Sequence, residues 1–400
     1  MPKDDPSRPL RIALLTHSVN PRGGVVHTLE LAEALQAAGH QITVLAPASP
    51  EQRFFREVSC EVELIPAPPS ATDLVAMVES RIDACVKHLT SYLPGHRFDI
   101  LHSQDSITGN ALATLDSIGS IRGFVRTVHH LDHFGEDGLM ALQRRAFMRA
   151  ERVLCVSRLW QDTLLTEYQV DAALVSNGVN LARYHPVAQP ADAEVAARYG
   201  LQTGGPVYLA LGGVEGRKNT QRVLDAFVQL RADQPTAQLV IAGGASLLDH
   251  DAYMRGFWAK AERSGLTIGP GQALVPIGPV PDDEVSALMR LADAVVMASV
   301  REGFGLVVLE AMASGTPVVA SRIAPFTEYL KEDDVSWADP MDTTSIADAM
   351  RAAATRPAFT LPEVCRRFSW ADSAARHVAL YRELTPCYAP FCETCEAAHA

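Results

Sequence analysis

Along this chain, short unbroken apolar runs alternate with stretches in which apolar positions recur every three or four residues, and glycine pairs stand between the two kinds of segment. Residues 11–16 (RIALLT) have the length and continuity of a buried parallel strand. Gly23-Gly24 follow, then residues 25–38 with helical spacing, stopped by Gly39 before a second run at 41–46. This is a βαβ unit. The same theme returns with a strand over 207–211, Gly212-Gly213, a helix over 220–230 and a strand over 238–242 that ends in Gly243-Gly244. Further strands are predicted at 100–102, 123–128, 152–156, 273–277 and 294–298. Two such units far apart predict an α/β fold of two doubly wound, Rossmann-like domains, whose parallel sheets carry ligand loops at the C-terminal ends of the strands. Residues 176–180 and the proline-bearing segment after them mark the crossing between domains.

The densest local signal is residues 302–310, EGFGLVVLE, followed by AMASGTPVVAS. Glu302 and Glu310 flank a turn in which Gly303 and Gly305 allow close backbone approach to a ligand. A helix opening near Gly305 would aim unpaired N–H groups and its positive dipole end at an anion. Glu302 would then meet a sugar's hydroxyls and Glu310 a ribose diol. Gly315 ends the helix, and Thr316-Pro317 leads into a strand at 318–320. The bare spacing of the two carboxylates fits an ordinary surface helix equally; the whole string does not.

Composition narrows the alternatives. Four hundred residues, 48% of them apolar, suit two cores better than one. A net charge of −12 without a long basic block argues against a nucleic-acid partner. The opening MPKDDPSRPL is charged and proline-bearing, and is expected to be a disordered leader, not a signal peptide. No apolar run reaches the roughly 18 residues of a membrane span. Seven cysteines without a secretory signal predict reduced thiols and a cytoplasmic location.

In sequence order, the segments RIALLTHSVNPRGGVVHTLELAEALQAAGHQITVLAP, RTVHHLD, RVLCVSRLWQDTLL, VSNGVNLARYHP, ALGGVEGRKNTQRVLDAF, EGFGLVVLE and FSWADSAARHVALYREL resemble the retaining GT-B glycosyltransferases of family four over nearly the full length. The resemblance implies a metal-independent transfer of a sugar from a nucleoside diphosphate sugar to an acceptor hydroxyl, with retained anomeric configuration. It further implies a C-terminal helix that crosses back to the first domain. The expected domains are 9–186 plus 371–386 on the acceptor side, 187–370 on the donor side, and a cysteine-rich tail at 387–400.

The resemblance assigns roles residue by residue. His129, Lys218 and Glu302 are the catalytic set. The donor-binding set is Gly24, Arg217, Lys218, Ile277, Glu302, Gly303, Phe304, Gly305, Leu306 and Glu310. His129 matches a T-x-H histidine that supports the donor sugar and is preferred over His130, which stands where an aspartate is common. Lys218 is the leading cation for the departing diphosphate. The arginine usually found a few residues earlier is Gly213 here, so Arg217 or another residue must supply the second charge. Ile277 falls where the nucleotide base is bracketed by backbone. Arg22 and Arg158 are candidate anion contacts, each equally an exposed arginine.

Three clusters resemble metal sites in composition. The group His129, His130, Asp132 and His133 lacks a metal-binding motif, and Asp249-His250-Asp251 introduces a helix where aspartates usually cap. Cys387, Cys392, Cys395 and His399 have the ligand types of a small structural zinc site, although a tail with free thiols is the favoured expectation. The expected partners are a nucleotide-sugar donor and a small-molecule or glycan acceptor, with no resident cofactor. Two other readings remain: an epimerase or hydrolase on the same architecture, and a non-catalytic nucleotide-sugar-binding protein.

Overall fold

The computed structural model describes residues 8–68, 73–202, 204–244, 251–357 and 361–384. The expected tail at 387–400, the leader before residue 8, and Asp249-His250 lie outside them. The chain divides into two units, residues 1–178 with 370–400, and residues 179–369. The first boundary falls earlier than the expected 186/187. Val179 donates its N–H to Phe368 O at 3.0 Å, so a backbone hydrogen bond joins the segments where the chain enters and leaves the second unit.

The first unit runs β1 (Arg11–Leu15), α1 (Gly23–Ala37), β2 (Gln41–Ala48), β3 (Glu61–Pro66), α2 (Leu74–Tyr92), β4 (Ile100–Ser103), α3 (Ser106–Ser117) and β5 (Val125–Val128). It continues through α4 (Asp137–Met148), β6 (Arg152–Cys155), α5 (Arg158–Tyr168) and β7 (Ala173–Leu174). All its strands pair in parallel, in the order β3-β2-β1-β4-β5-β6-β7. The apolar run of β1 is buried on both faces because helices cover the sheet on both sides. Helices α2 and α3 start at built caps: the Asp73 side chain accepts from Ala76 N at 2.8 Å, and Asp105 from Thr108 N at 2.9 Å.

The second unit holds α6 (Pro190–Tyr199), β8 (Val207–Leu211), α7 (Thr220–Leu230), β9 (Gln238–Ala242), α8 (Asp251–Arg263), β10 (Leu274–Gly278), α9 (Asp282–Leu291) and β11 (Ala294–Met297). Then come α10 (Leu306–Ala313), β12 (Val318–Ser321), α11 (Phe326–Tyr329), β13 (Ser336–Ala338), α12 (Thr343–Ala354) and α13 (Glu363–Arg367). Its parallel order, β10-β9-β8-β11-β12-β13, repeats that of the first six strands of the other sheet. The core under this sheet is led by Tyr208, Phe227 and Phe257.

The last described helix, α14 (Trp370–Leu384), belongs to the first unit. It buries Trp370, His377 and Tyr381, and its Ser373 hydroxyl donates to Ser176 O. Arg382 Nη2 donates to Arg8 O at 3.0 Å. The expectation of a returning helix therefore holds, with buried polar side chains as well as apolar ones on its inner face. No described helix is long and apolar enough to cross a membrane.

Candidate active site

In a doubly wound sheet the loops diverge where the strand order reverses, which leaves a crevice at the C-terminal ends of the two central strands. In the second unit those strands are β8 and β11. The loop after β8 carries Arg217 and Lys218, and the loop after β11 carries Ser299 and Glu302. Val300 N donates to Arg217 O at 3.0 Å, which joins the loops directly. Asn219, in the left-handed region at φ 61°, gives its amide hydrogens to Ala298 O at 3.0 Å and Pro340 O at 2.7 Å. That side chain pins the end of the cationic loop to β11.

Glu302 is 5% exposed and is the anchor of this arrangement. Its Oε1 accepts from Lys218 Nζ at 2.7 Å and Ser299 Oγ at 2.9 Å, and its Oε2 from Arg217 Nη1 at 2.9 Å. Burial pushes its pKa up, but Lys218 and Arg217 together outweigh that and bring it down to about 2. Glu302 was expected to face a sugar; the fold shows its carboxylate engaged with the two cations expected at the phosphates. It thus holds Arg217 beside Lys218 on one carboxylate.

Gly213 could not have been the missing arginine. Its φ is 74°, and a Cβ there would lie 2.9 Å from Gly244 O and 3.0 Å from Gly243 O. The loops after β8 and β9 are packed back to back, leaving no room for a side chain. Gly212 serves Lys218 in the same way: a Cβ at 212 would lie 2.8 Å from Lys218 Cε.

The helix α10 begins one residue after Gly305, which is the N-cap at φ 91° with no side-chain cap on the first turn. A Cβ at Gly305 would strike the Phe326 ring at 2.3 Å, so this turn requires glycine twice over. The helix ends as expected, with Gly315 at φ 80° and Thr316 N donating to Ala311 O at 3.0 Å. Glu310 is buried within α10, Gly303 and Leu306 are partly exposed, and the Phe304 ring stacks on Tyr329 at 4.8 Å between centroids. Tyr329 OH also donates to Phe304 O at 3.0 Å. Phe304 is therefore a packing residue by its side chain, and a ligand would meet only its backbone. Ile277 is partly exposed in β10, next to Gly278, whose carbonyl accepts from Gly243 N at 2.7 Å.

In the first unit the strand order reverses between β1 and β4. Here Gly24 and His129 come together: a Cβ at Gly24 would touch the His129 ring at 3.6 Å. His129 Nε2 lies 3.0 Å from Gln104 Oε1, and its ring meets His27 edge-on at 4.6 Å. Burial, then His27, Arg126, His130 and His102, hold its pKa well below the ordinary histidine value. His130 points elsewhere, with Nε2 3.2 Å from Asp132 Oδ2. Arg22 is the N-cap of α1, and Arg158 opens α5 after its N-cap Ser157.

Sequence reasoning missed Asn219, Ser299, Gln104 and the buried histidines 27, 102 and 377. Asn219 had a signal, since asparagine before a helix tolerates the left-handed region. Gln104 had one too, as a polar residue at the end of the strand beside the switch point. The histidines had none, because their meeting depends on α14.

Comparison with known proteins agrees with this geometry. A family described as glycosyl transferases group 1 matches residues 192–369, and one described as Glycosyltransferase Family 4 matches residues 21–183. The phosphatidyl-myo-inositol mannosyltransferase of Mycolicibacterium smegmatis is 30% identical over 352 residues, spanning 86% of this chain and 83% of that protein. The D-inositol 3-phosphate glycosyltransferase of Corynebacterium jeikeium is 26% identical, spanning 94% of this chain and 97% of that protein. Among solved structures, sucrose-phosphate synthase from Thermosynechococcus elongatus superposes with a TM-score of 0.75 at 22% identity, over 94% of this chain and 99% of the other. Anabaena HepE, solved with UDP and glucose, gives 0.73 at 18% identity, over 94% and 100%. These last two speak for the fold alone. With relatives aligned across most of both chains, both family matches in sequence order and two sheets of the same doubly wound topology, this chain belongs to glycosyltransferase family 4 and has the GT-B fold.

Proposed function

We propose that the protein transfers a sugar from a nucleoside diphosphate sugar to an acceptor hydroxyl with retention of configuration, and that it does so without a metal ion. The observation that carries this reading is the pairing of Lys218 and Arg217 on Glu302 beside the loop that opens α10, whose N-terminus has no side-chain cap. A departing diphosphate needs positive charge fixed in advance, because reorganising charge during the reaction costs the advantage of the site. Two cations and a helix N-terminus provide it. Glu302 keeps the cations in place, Glu310 is assigned to the ribose and the backbone near Ile277 to the base. His129 and Gly24 of the first unit are assigned to the donor sugar by the family resemblance. The reading includes a cytoplasmic location, supported among the described residues by the free thiols Cys60, Cys85 and Cys365.

A donor panel tests it. Sugars of UDP, GDP and ADP are incubated with the protein, with and without acceptors, and nucleoside diphosphate release and product anomer are recorded. The named relatives carry inositol-based acceptors in their names, so inositol phosphates and phosphatidylinositol head the acceptor list. Acceptor-dependent release with retained anomeric configuration, unchanged in chelator, is expected. Release without acceptor would favour hydrolysis, donor binding without turnover would favour a sensor, and a reversible need for magnesium or manganese would overturn the metal-free mechanism.

A further inference from the structure

A chain of buried polar groups runs through the first unit and ends at His129. Tyr381 OH, on α14, lies 2.6 Å from His102 Nδ1, and His102 Nε2 lies 2.7 Å from Thr127 Oγ1. Both in-plane directions of the His102 ring are thus taken. The Gln104 amide nitrogen is 3.3 and 3.4 Å from the two ring nitrogens, so it sits over the face of that ring. An amide N–H is attracted to a π face and a carbonyl oxygen is repelled by it, which sets the orientation of the carboxamide. Its oxygen then faces His129 Nε2 at 3.0 Å.

A carboxamide oxygen only accepts, so His129 Nε2 must carry the hydrogen, and a neutral ring keeps its lone pair on Nδ1. The groups around the ring favour neutrality. From α1 comes His27, from β4 His102, from β5 Arg126 and from the following loop His130, which is itself paired with Asp132; His377 and Tyr381 of α14 stand behind His102. Those that act on His129 most strongly, His27, Arg126, His130 and His102, are all basic and oppose a second proton.

We propose that Gln104 is the positioning residue for His129: it fixes the imidazole as the Nε2–H tautomer and presents Nδ1 as a hydrogen-bond acceptor, while Tyr381 of the C-terminal helix holds Gln104 through His102. The inference deepens the transfer reading and rests on it for the statement that His129 serves a donor sugar. Its chemical consequence is that the ligand group met by His129 Nδ1 is a hydrogen-bond donor, a sugar hydroxyl. The C-terminal helix thereby enters the reaction without touching substrate.

The test has a spectroscopic and a kinetic arm. Protein labelled with 15N-histidine is examined by two-bond 15N–1H correlation, the His129 signals being assigned by their loss in His129→Asn. The wild type should show the Nε2–H form, and Gln104→Leu should convert it to a mixture or to the Nδ1–H form. In turnover, Gln104→Leu should lose at least tenfold in kcat with less than threefold change in donor KM, and Tyr381→Phe should show a smaller loss of the same kind. Gln104→Glu preserves size and polarity and serves if the leucine variant does not fold. Its carboxylate should raise the pKa of His129, so that activity gains an acid limb the wild type lacks. A wild-type Nδ1–H ring, or unchanged kcat in both Gln104 variants, would overturn the proposal. Absence of any donor turnover by the wild type, with the tautomer as assigned, would overturn the transfer reading and leave the ring assignment supported.

Discussion

Lys218 Nζ lies 2.7 Å from Glu302 Oε1, and the two come from loops on opposite sides of the point where the second sheet reverses its strand order. The lysine is therefore held over the crevice by a buried carboxylate before any ligand arrives. Such an ion pair is preorganised, and in the proposed transfer its cation would turn to the departing diphosphate while Arg217 remains on the other carboxylate oxygen.

Lys218→Ala should lower kcat at saturating donor by about a hundredfold or more, the scale of losing one fixed donor to developing charge. Lys218→Arg should recover part of it, since the charge is kept on a longer fork. Steady-state kinetics checks both, and an alanine variant with at least half the wild-type kcat would remove Lys218 from the mechanism.

Glu302→Gln should destabilise the second unit by about 3 kcal/mol at neutral pH, because Lys218 and Arg217 lose their buried counterion. The difference should depend on pH with a definite sign. The folded pKa of Glu302 is about 2, below its ordinary value of 4.5, so its stabilisation is complete above about 4.5 and fades as pH falls toward 2. Urea unfolding of both proteins across that window should show the two curves converging at the acid end. Parallel curves would mean that the pair contributes nothing to folding.

Gly213→Arg should fail to add a phosphate cation. The left-handed backbone and the carbonyls of Gly243 and Gly244 leave no space for Cβ, so Gly213→Ala should already cost about 1–3 kcal/mol, with the arginine variant less stable still. Melting temperature and donor KM measure this. A stable arginine variant with tighter donor binding would show that the two loops can part.

Acid should weaken the first unit through its histidines. Burial, together with the neighbouring His377, holds His27 at about 3, and burial holds His377 at about 4, both below the ordinary 6.5. Their contribution is full above about 6.5, where both states are neutral. It is lost as pH falls, because the unfolded chain takes up protons that the folded one refuses. His27→Gln should flatten the fall in stability between pH 6 and 4.5 by up to about 1.4 kcal/mol per pH unit. Hydrogen exchange resolved by unit, measured against pH, checks it; an unchanged slope would place His27 in a solvated site.

Much of this molecule can be read from local pattern. Runs such as RIALL and VYLAL are apolar on both faces and specify parallel strands. The glycines at 212–213, 243–244, 305 and 315 stand where the backbone needs positive φ or close approach, so the βα turns and the ends of α10 were legible to within a residue or two. The ordered motifs identified the family, and His129 and Lys218 could be singled out by their places in those motifs. What the tertiary structure alone decided is which polar groups meet. Glu302 and Lys218 are 84 residues apart, and only the reversal of strand order makes the one the counterion of the other. Phe304 turns its ring into a cluster with Tyr329 and Phe368, so at a position expected to contact a ligand only the backbone is left to do so. His102 meets Tyr381 across 279 residues, because α14 returns to the first unit. Periodicity records which side of an element is buried; it holds no information on partners, which depend on how distant elements are brought side by side.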